Sequence, residues 1–304
     1  MYVAVGPGGA VFYSLLAPIV AGPLAAAQGN TPMTWTAGNV PPGFNQNLVG
    51  VASISGIPNP AAPVYTFVAV GQSGTILRST DGQNWQQVTG VPTNSNLNAV
   101  AATGYNFIAV GDGGVVLIGT PDGLTWSASA AAAAASSNTL NAIHCVGASC
   151  VAVGTSGTTL WSSQAGADWT LYTNGTNNWI GIAYGNKDAN ADVVVCQTCN
   201  PLTVTINNQY INTWVVVDAQ GDYAYTQTVG GWINGNLPIA SSITAIDYTT
   251  RFVALDGTGN AYASESGNSW QAVGASGVAS PTAMVSNGQG FVAVGATGTN
   301  ASSF

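Results

Sequence analysis

A chain of 304 residues with three Lys and Arg against eleven Asp and Glu, net charge -8, cannot build the basic patch that phosphate neutralisation needs, so nucleic acid is excluded as a partner. The same deficit excludes attraction to anionic lipid headgroups. Charged residues are 5% of the chain, against roughly a quarter in ordinary soluble domains, and a surface of Gly, Ala, Ser, Thr and Asn suits either a secreted protein or a subunit packed within an assembly.

The chain opens on the apolar phrase Tyr2–Gly6, which returns as Phe67–Gly71, Phe107–Gly111, Cys150–Gly154, Trp214–Asp218, Phe252–Asp256 and Phe291–Gly295. The starts of its central run are 65, 40, 43, 64, 38 and 39 residues apart, so a unit of roughly 40 residues repeats and two intervals carry insertions. Each phrase is followed by a Gly-, Ser- or Asp-rich turn, a second strand, and a turn ending in Trp, as at Trp35, Trp85, Trp126, Trp169, Trp232 and Trp270. Upstream of most phrases lies another strand, such as Asn98–Ala102, Asn141–Cys145 or Ile243–Asp247. A unit of about four short antiparallel strands that cannot bury its own apolar face is a propeller blade. We expect residues 1–304 to form one all-β propeller of seven blades, with six also compatible. The Val-Ala-Val runs are expected on an inner strand covered on both faces.

Segment 10–27 is apolar and ends in an Ala-rich stretch, as a secretory signal does, but no Lys or Arg precedes it and Pro18 and Pro23 interrupt it. The same prolines argue against a transmembrane helix. It reads as an apolar interstrand loop, with Leu15, Leu16, Ile19 and Leu24 offered as contact surface. The Pro-rich connection Ile57–Pro63 is a second candidate contact.

The stretch Ser79-Thr80-Asp81-Gly82-Gln83-Asn84-Trp85, echoed at Pro121–Trp126 and Ser264–Trp270, resembles the Asp-box repeat. That repeat marks sialidase-like propellers and those similar to the photosystem II assembly factor. The resemblance implies a propeller in which Asp81 and Asp122 accept turn amides while Trp85, Trp126, Trp169, Trp232 and Trp270 fill the gaps between blades. It leaves activity open, because such propellers include hydrolases, lectin-like binders and assembly proteins.

Cys145 and Cys150 fall on two arms of one hairpin, where a disulfide is feasible; Cys196 and Cys199 form a second candidate pair, and both point to an oxidising compartment. The latter pair lacks the partners of a zinc site and the setting of a redox motif. Segment 187–212 is expected to project as a disulfide-stapled hairpin, adding Leu202 and Tyr210 to the contact surface. At its start, Asp188, Asn190 and Asp192 offer oxygens at alternate positions, as calcium loops do, but without the EF-hand Gly and Glu; no other cofactor is indicated.

Catalytic patterns are sparse. Two Arg residues in separate repeats cannot form a sialidase arginine clamp, the one Glu, Glu265, sits in a turn, and the one His, His144, lies in a strand without a nucleophile motif. Asp112, Asp218 and Asp256 end or follow the phrase, where a ring of carboxylates could raise a pKa or hold a cation. Trp161 and Trp179 are extra to the blade-ending set and suit either a sugar platform or interblade core. The expected function is a non-enzymatic extracellular or cell-surface propeller, bacterial-type secreted, that binds a protein or glycan or assembles with copies of itself. The alternative is an Asp-box-type carbohydrate-active enzyme or lectin.

Overall fold

The computed structural model describes residues 1–15, 34–55, 65–188, 192–196, 203–207, 210–239, 241–286, 290–295 and 300–302. Among the described residues, seven antiparallel sheets of three or four strands follow one another along the chain, beside one two-stranded ribbon. Sheet 1 holds Tyr2–Val5, Val11–Ser14 and Thr36–Ala37, and sheet 2 holds Leu48–Ser55, Tyr65–Gly71, Ile76–Ser79 and Gln86–Gln87. Sheet 3 is Leu97–Ala102, Phe107–Gly111, Val116–Gly119 and Trp126–Ala128; sheet 4 is Leu140–Val146, Ser149–Gly154, Thr158–Ser162 and Thr170–Thr173. Sheet 5 comprises Trp179–Asp188, Tyr210–Asp218, Asp222–Thr226 and Ile233–Asn236, and sheet 6 comprises Ile243–Tyr248, Phe252–Asp256, Asn260–Ser264 and Gln271–Ala275. Sheet 7 is Pro281–Ser286, Phe291–Gly295 and Asn300–Ser302. The architecture is the expected all-β propeller. Sheets 2 to 6 have four strands and the two terminal sheets three, so a count of six or seven blades turns on the terminal pair.

The repeated phrase forms the second strand of every complete sheet, and its central residues, such as Val68, Ala69 and Val70, are fully buried. Burial on both faces explains the unbroken apolar run. The phrase is thus an inner strand covered on both faces, as expected, while the first strands of successive sheets lie against one another and stand nearest the axis. These strands are mostly half-buried. In six of them a β-bulge follows the first residue, leaving Val49, Asn98, Asn141, Ile180, Thr244 and Thr282 as the extra residue. Two of these bulge residues are asparagines that bond to the neighbouring sheet. Asn98 donates to the Leu140 carbonyl at 3.0 Å and Asn141 to that of Trp179 at 2.9 Å, each reaching the next sheet.

Among the described residues the core is a row of six apolar seams, one between each pair of consecutive sheets. Trp85 joins Val11 of sheet 1 to Phe67 and Leu77 of sheet 2, and Trp126 joins Val68 and Val70 of sheet 2 to Phe107 and Leu117 of sheet 3. Between sheets 3 and 4 a six-residue helix, Ala130–Ala135, covers the seam with Ala132, and the Ser129 hydroxyl caps it by accepting from the Ala132 amide at 3.3 Å.

Cys145 and Cys150 face each other across the first hairpin of sheet 4 and are disulfide-bonded. Replacing both by alanine should lower unfolding free energy by about 2 kcal/mol, the chain-entropy value for so short a loop; urea titration of oxidised protein against the variant measures it. In the insertion, Asp192–Cys196 pairs with Thr203–Asn207 as a separate two-stranded ribbon carried by the first hairpin of sheet 5.

Candidate functional site

Most polar turn residues serve the scaffold. In sheet 2 the Asp81 carboxylate accepts the amides of Gln83 and Asn84 at 2.8 and 2.7 Å, the Asn84 side chain at 2.7 Å and the Ser79 hydroxyl at 2.9 Å. Desolvation pushes its pKa up, but these hydrogen bonds outweigh it and hold the group at about 2. Gly82, at φ 68°, closes the turn and presents its carbonyl to the Trp85 indole at 3.2 Å. Asp122 repeats the arrangement with the Thr120 hydroxyl and Leu124 amide, and the Trp126 indole donates to Gly123. The Thr120 bond leads in holding that carboxyl below its ordinary value, with the Leu124 amide and the Arg78 charge assisting. Arg78 also donates to the Asp122 carbonyl at 2.5 Å, pinning sheet 2 to sheet 3.

In sheet 4 the same work falls to Asp168, directly before Trp169. It accepts the hydroxyls of Ser162 and Ser163, both at 2.7 Å, and the amides of Ser163 and Gln164 at 3.0 and 2.9 Å. Desolvation again opposes and these bonds win, giving a pKa of about 2. Asp168 was not singled out from sequence, because relative to the tryptophan it stands three residues later than Asp81 does. The Trp270 turn keeps the indole bond to Gly267 at 3.2 Å, while the Trp232 indole N–H has no partner among the described residues.

Asp112, Asp218 and Asp256 are tied into their own surroundings. Asp112 accepts the side chains of Asn96 and Asn98, both at 2.9 Å. Asp218 accepts the amides of Gln220 and Asp222, and shares the Asn177 side chain with Asp222 at 2.9 and 2.8 Å. Asp256 takes the Thr258 and Asn260 amides and the Tyr262 hydroxyl. Desolvation raises the Asp256 pKa and the hydrogen bonds more than reverse it, so the shift is downward rather than toward a proton donor. Among the described residues, no three His, Cys, Asp or Glu cluster as a metal site.

His144 packs edge-on to Trp214 at 5.9 Å, and burial pushes its pKa down to about 4. Its folded pKa lies below the ordinary 6.5, so its contribution to stability is present above 6.5 and lost as pH falls toward 4. Asp81 and Asp168, depressed from 3.8 to about 2, lose theirs between 4 and 2. We expect acid destabilisation in these two windows, followed by urea midpoints from pH 8 to pH 2. His144→Phe should remove the upper one and Asp81→Asn the sheet 2 share of the lower.

The chemistry left uncommitted gathers between sheets 4 and 5. An open groove of about 460 Å³ runs there, walled by Trp161 and Tyr172 from sheet 4 and by Tyr184 and Trp214 from sheet 5. Trp161 lies 5.7 Å from Trp214 and 6.4 Å from Tyr172, both edge-on, and Tyr184 lies 4.8 Å from Trp214. Its polar lining includes Asp168, Asn212 and Gln227, and Val229, 58% exposed, also lines it. The groove opens on the face bearing the first and third hairpin turns of the sheets, the face at which Asp188 pairs with Tyr210 at the end of the first hairpin of sheet 5.

No protein-family model and no curated protein matches the chain. Solved structures do. The chain is similar to YCF48 bound to a D1 peptide at 14% identity and a TM-score of 0.57, over 84% of this chain and 76% of that one. It is similar to the WD40 propeller domain of Doa1 at 9% identity and 0.61, over 98% and 87%. PorZ, a bacterial surface component of the type-IX secretion system of Porphyromonas gingivalis, matches at 12% and 0.51, over 82% of this chain and 32% of PorZ. At these identities the likeness is one of fold.

Of the residues singled out from sequence, Trp161 lines the groove, whereas Trp179 is 1% exposed and belongs to the seam beneath it. Leu15 is 65% exposed. Leu16, Ile19, Leu24, Asn190, Cys199 and Leu202 lie outside the described residues, and Asp188, Asp192, Cys196 and Tyr210 are described by their backbone strands only. Tyr172, Tyr184 and Trp214 were missed as site residues. Their strands converge only in the fold.

Proposed function

We infer that the protein is a non-enzymatic binding propeller, a subunit of an extracellular or cell-surface assembly that holds a protein partner against the face carrying the aromatic groove. The observation that carries this reading is the groove itself: four aromatic rings around an open cavity, in a molecule whose turn carboxylates are otherwise engaged in holding turns. Tyr and Trp supply large contact area at low entropic cost, which suits a protein contact. The scarcity of charge and the Cys145–Cys150 disulfide support an oxidising, extracellular setting. YCF48 holding a peptide and PorZ acting at a bacterial surface are consistent with it.

The test is labelling of intact, unpermeabilised source cells and secreted material with antibody, together with the native mass of the labelled species. Surface or extracellular label on a multi-subunit species is expected. A free monomer retained inside the cell would overturn the reading.

A further inference from the structure

The same seam carries a smaller cavity toward its other end, near the second hairpin turn of sheet 5. There an open pocket of about 210 Å³ is walled by Asn177, Trp179, Asp222, Asn234 and Asn236. Asp222 pairs with Asn236 and Ala224 with Asn234, so strand alternation turns all three polar residues to the side on which Ala224 packs against sheet 4. From just past the last strand of sheet 4, the Asn174 side chain donates to the Asn234 side-chain carbonyl at 2.8 Å. Asn234 and Asn236 are exposed and form the outer wall, which leaves the pocket accessible from the edge of the sheet.

The lining mixes donors and acceptors that the protein does not use up. Trp179 is 1% exposed, yet its indole N–H is buried without a partner, a bond whose absence costs stability. Asn234 has its carbonyl engaged and its amide hydrogens free among the described residues. Asn236 donates to Asp222 and keeps its carbonyl free, while each Asp222 oxygen accepts one bond, from Asn236 or from Asn177 at 2.8 Å, and retains a second lone pair.

This set selects an uncharged ligand. A cation would meet the Trp179 N–H and the Asn234 amide hydrogens, and among the described residues no three metal-ligating side chains cluster. An anion would meet the Asp222 carboxylate with no Lys or Arg in the wall. A hydroxyl both donates and accepts, and several hydroxyls held on one rigid ring satisfy such a lining at little entropic cost. At about 30 Å³ per water the pocket has room for about seven waters, the bulk of one sugar ring.

We propose that this pocket binds one uncharged hexose unit of a saccharide, with Trp179 and Asn234 donating to its hydroxyls and Asp222 and Asn236 accepting from them. The site is separate from the aromatic groove and independent of the protein-binding reading. The test is titration of the whole nitrogen-15-labelled protein with glucose, galactose, mannose and N-acetylglucosamine in turn. It is followed through the indole N–H resonance of Trp179, assigned as the signal missing from Trp179→Phe.

At least one hexose should shift that resonance downfield and saturate. Asn234→Ala and Asn236→Ala, at exposed positions and checked for unchanged thermal unfolding, should each raise the dissociation constant about tenfold or more, whereas Tyr172→Ala in the aromatic groove should leave it unchanged. Either asparagine variant that folds suffices. Absence of saturation with all four sugars overturns the proposal, as does binding undiminished by the asparagine variants, or saturation by calcium chloride or sodium sulfate in place of a sugar. Any of these results leaves the protein-binding reading standing.

Discussion

Trp126→Ala should cost about 3–5 kcal/mol of unfolding free energy, the range for deleting a large buried aromatic side chain, and lower the melting temperature by about 5–8 °C. Trp126 is 7% exposed and touches the apolar strands of two sheets at once, with Phe107 6.4 Å away between ring centres. Its loss opens a cavity at a seam that neither sheet can collapse into, because each is held from behind by its next neighbour. Trp126→Phe separates packing from hydrogen bonding: it keeps a ring and drops the bond to Gly123, at a cost of about 1–2 kcal/mol. Calorimetry on the three proteins decides the matter. A loss under 1 kcal/mol for the alanine variant would mean that the wedge is not what joins the sheets.

Gly111→Ala is the second large effect, and its cause is space. The φ of Gly111 is -168°, extended backbone open to any residue, yet a Cβ there would sit 1.9 Å from the Asn96 carbonyl oxygen and 3.0 Å from the Leu97 Cα. Both obstacles are backbone, so the turn must move away from the first strand of its own sheet. We expect a loss of about 3 kcal/mol or more. Gly71 and Gly154 meet the same obstruction, at 1.9 Å from Asn47 and Thr139 respectively. Gly113, two residues on, is the matched control: its φ is 68° with nothing within 4 Å, so Gly113→Ala should cost only the left-handed penalty of about 1 kcal/mol. Sheets 5 and 6 place Asp218 and Asp256 at the corresponding position and solve the turn differently, with carboxylates collecting the turn amides.

The repeat made the sheets legible because every Phe-Val-Ala-Val run needs two covered faces, and stacking supplies them. That argument says nothing about distance from the axis. The clue lay elsewhere, in strands such as Leu97–Ala102 and Leu140–Val146, where Asn98, Asn141 and His144 mix polar groups into a half-buried strand. Helix Ala130–Ala135 was readable from its alanines and the Ser129 cap, and was overlooked against a background of strand repeats. The groove was only half readable. Trp161 stood out as a tryptophan the blade pattern does not require, but Tyr184 and Trp214 come from another sheet, and nothing local to their strands says which face they share with Tyr172.

The most direct measurement is electron cryo-microscopy of undisrupted material at side-chain resolution. The account predicts protein density seated between sheets 4 and 5, in contact with Trp161, Tyr172 and Tyr184. A free monomer, or an assembly whose contacts all lie on the opposite face, would contradict it.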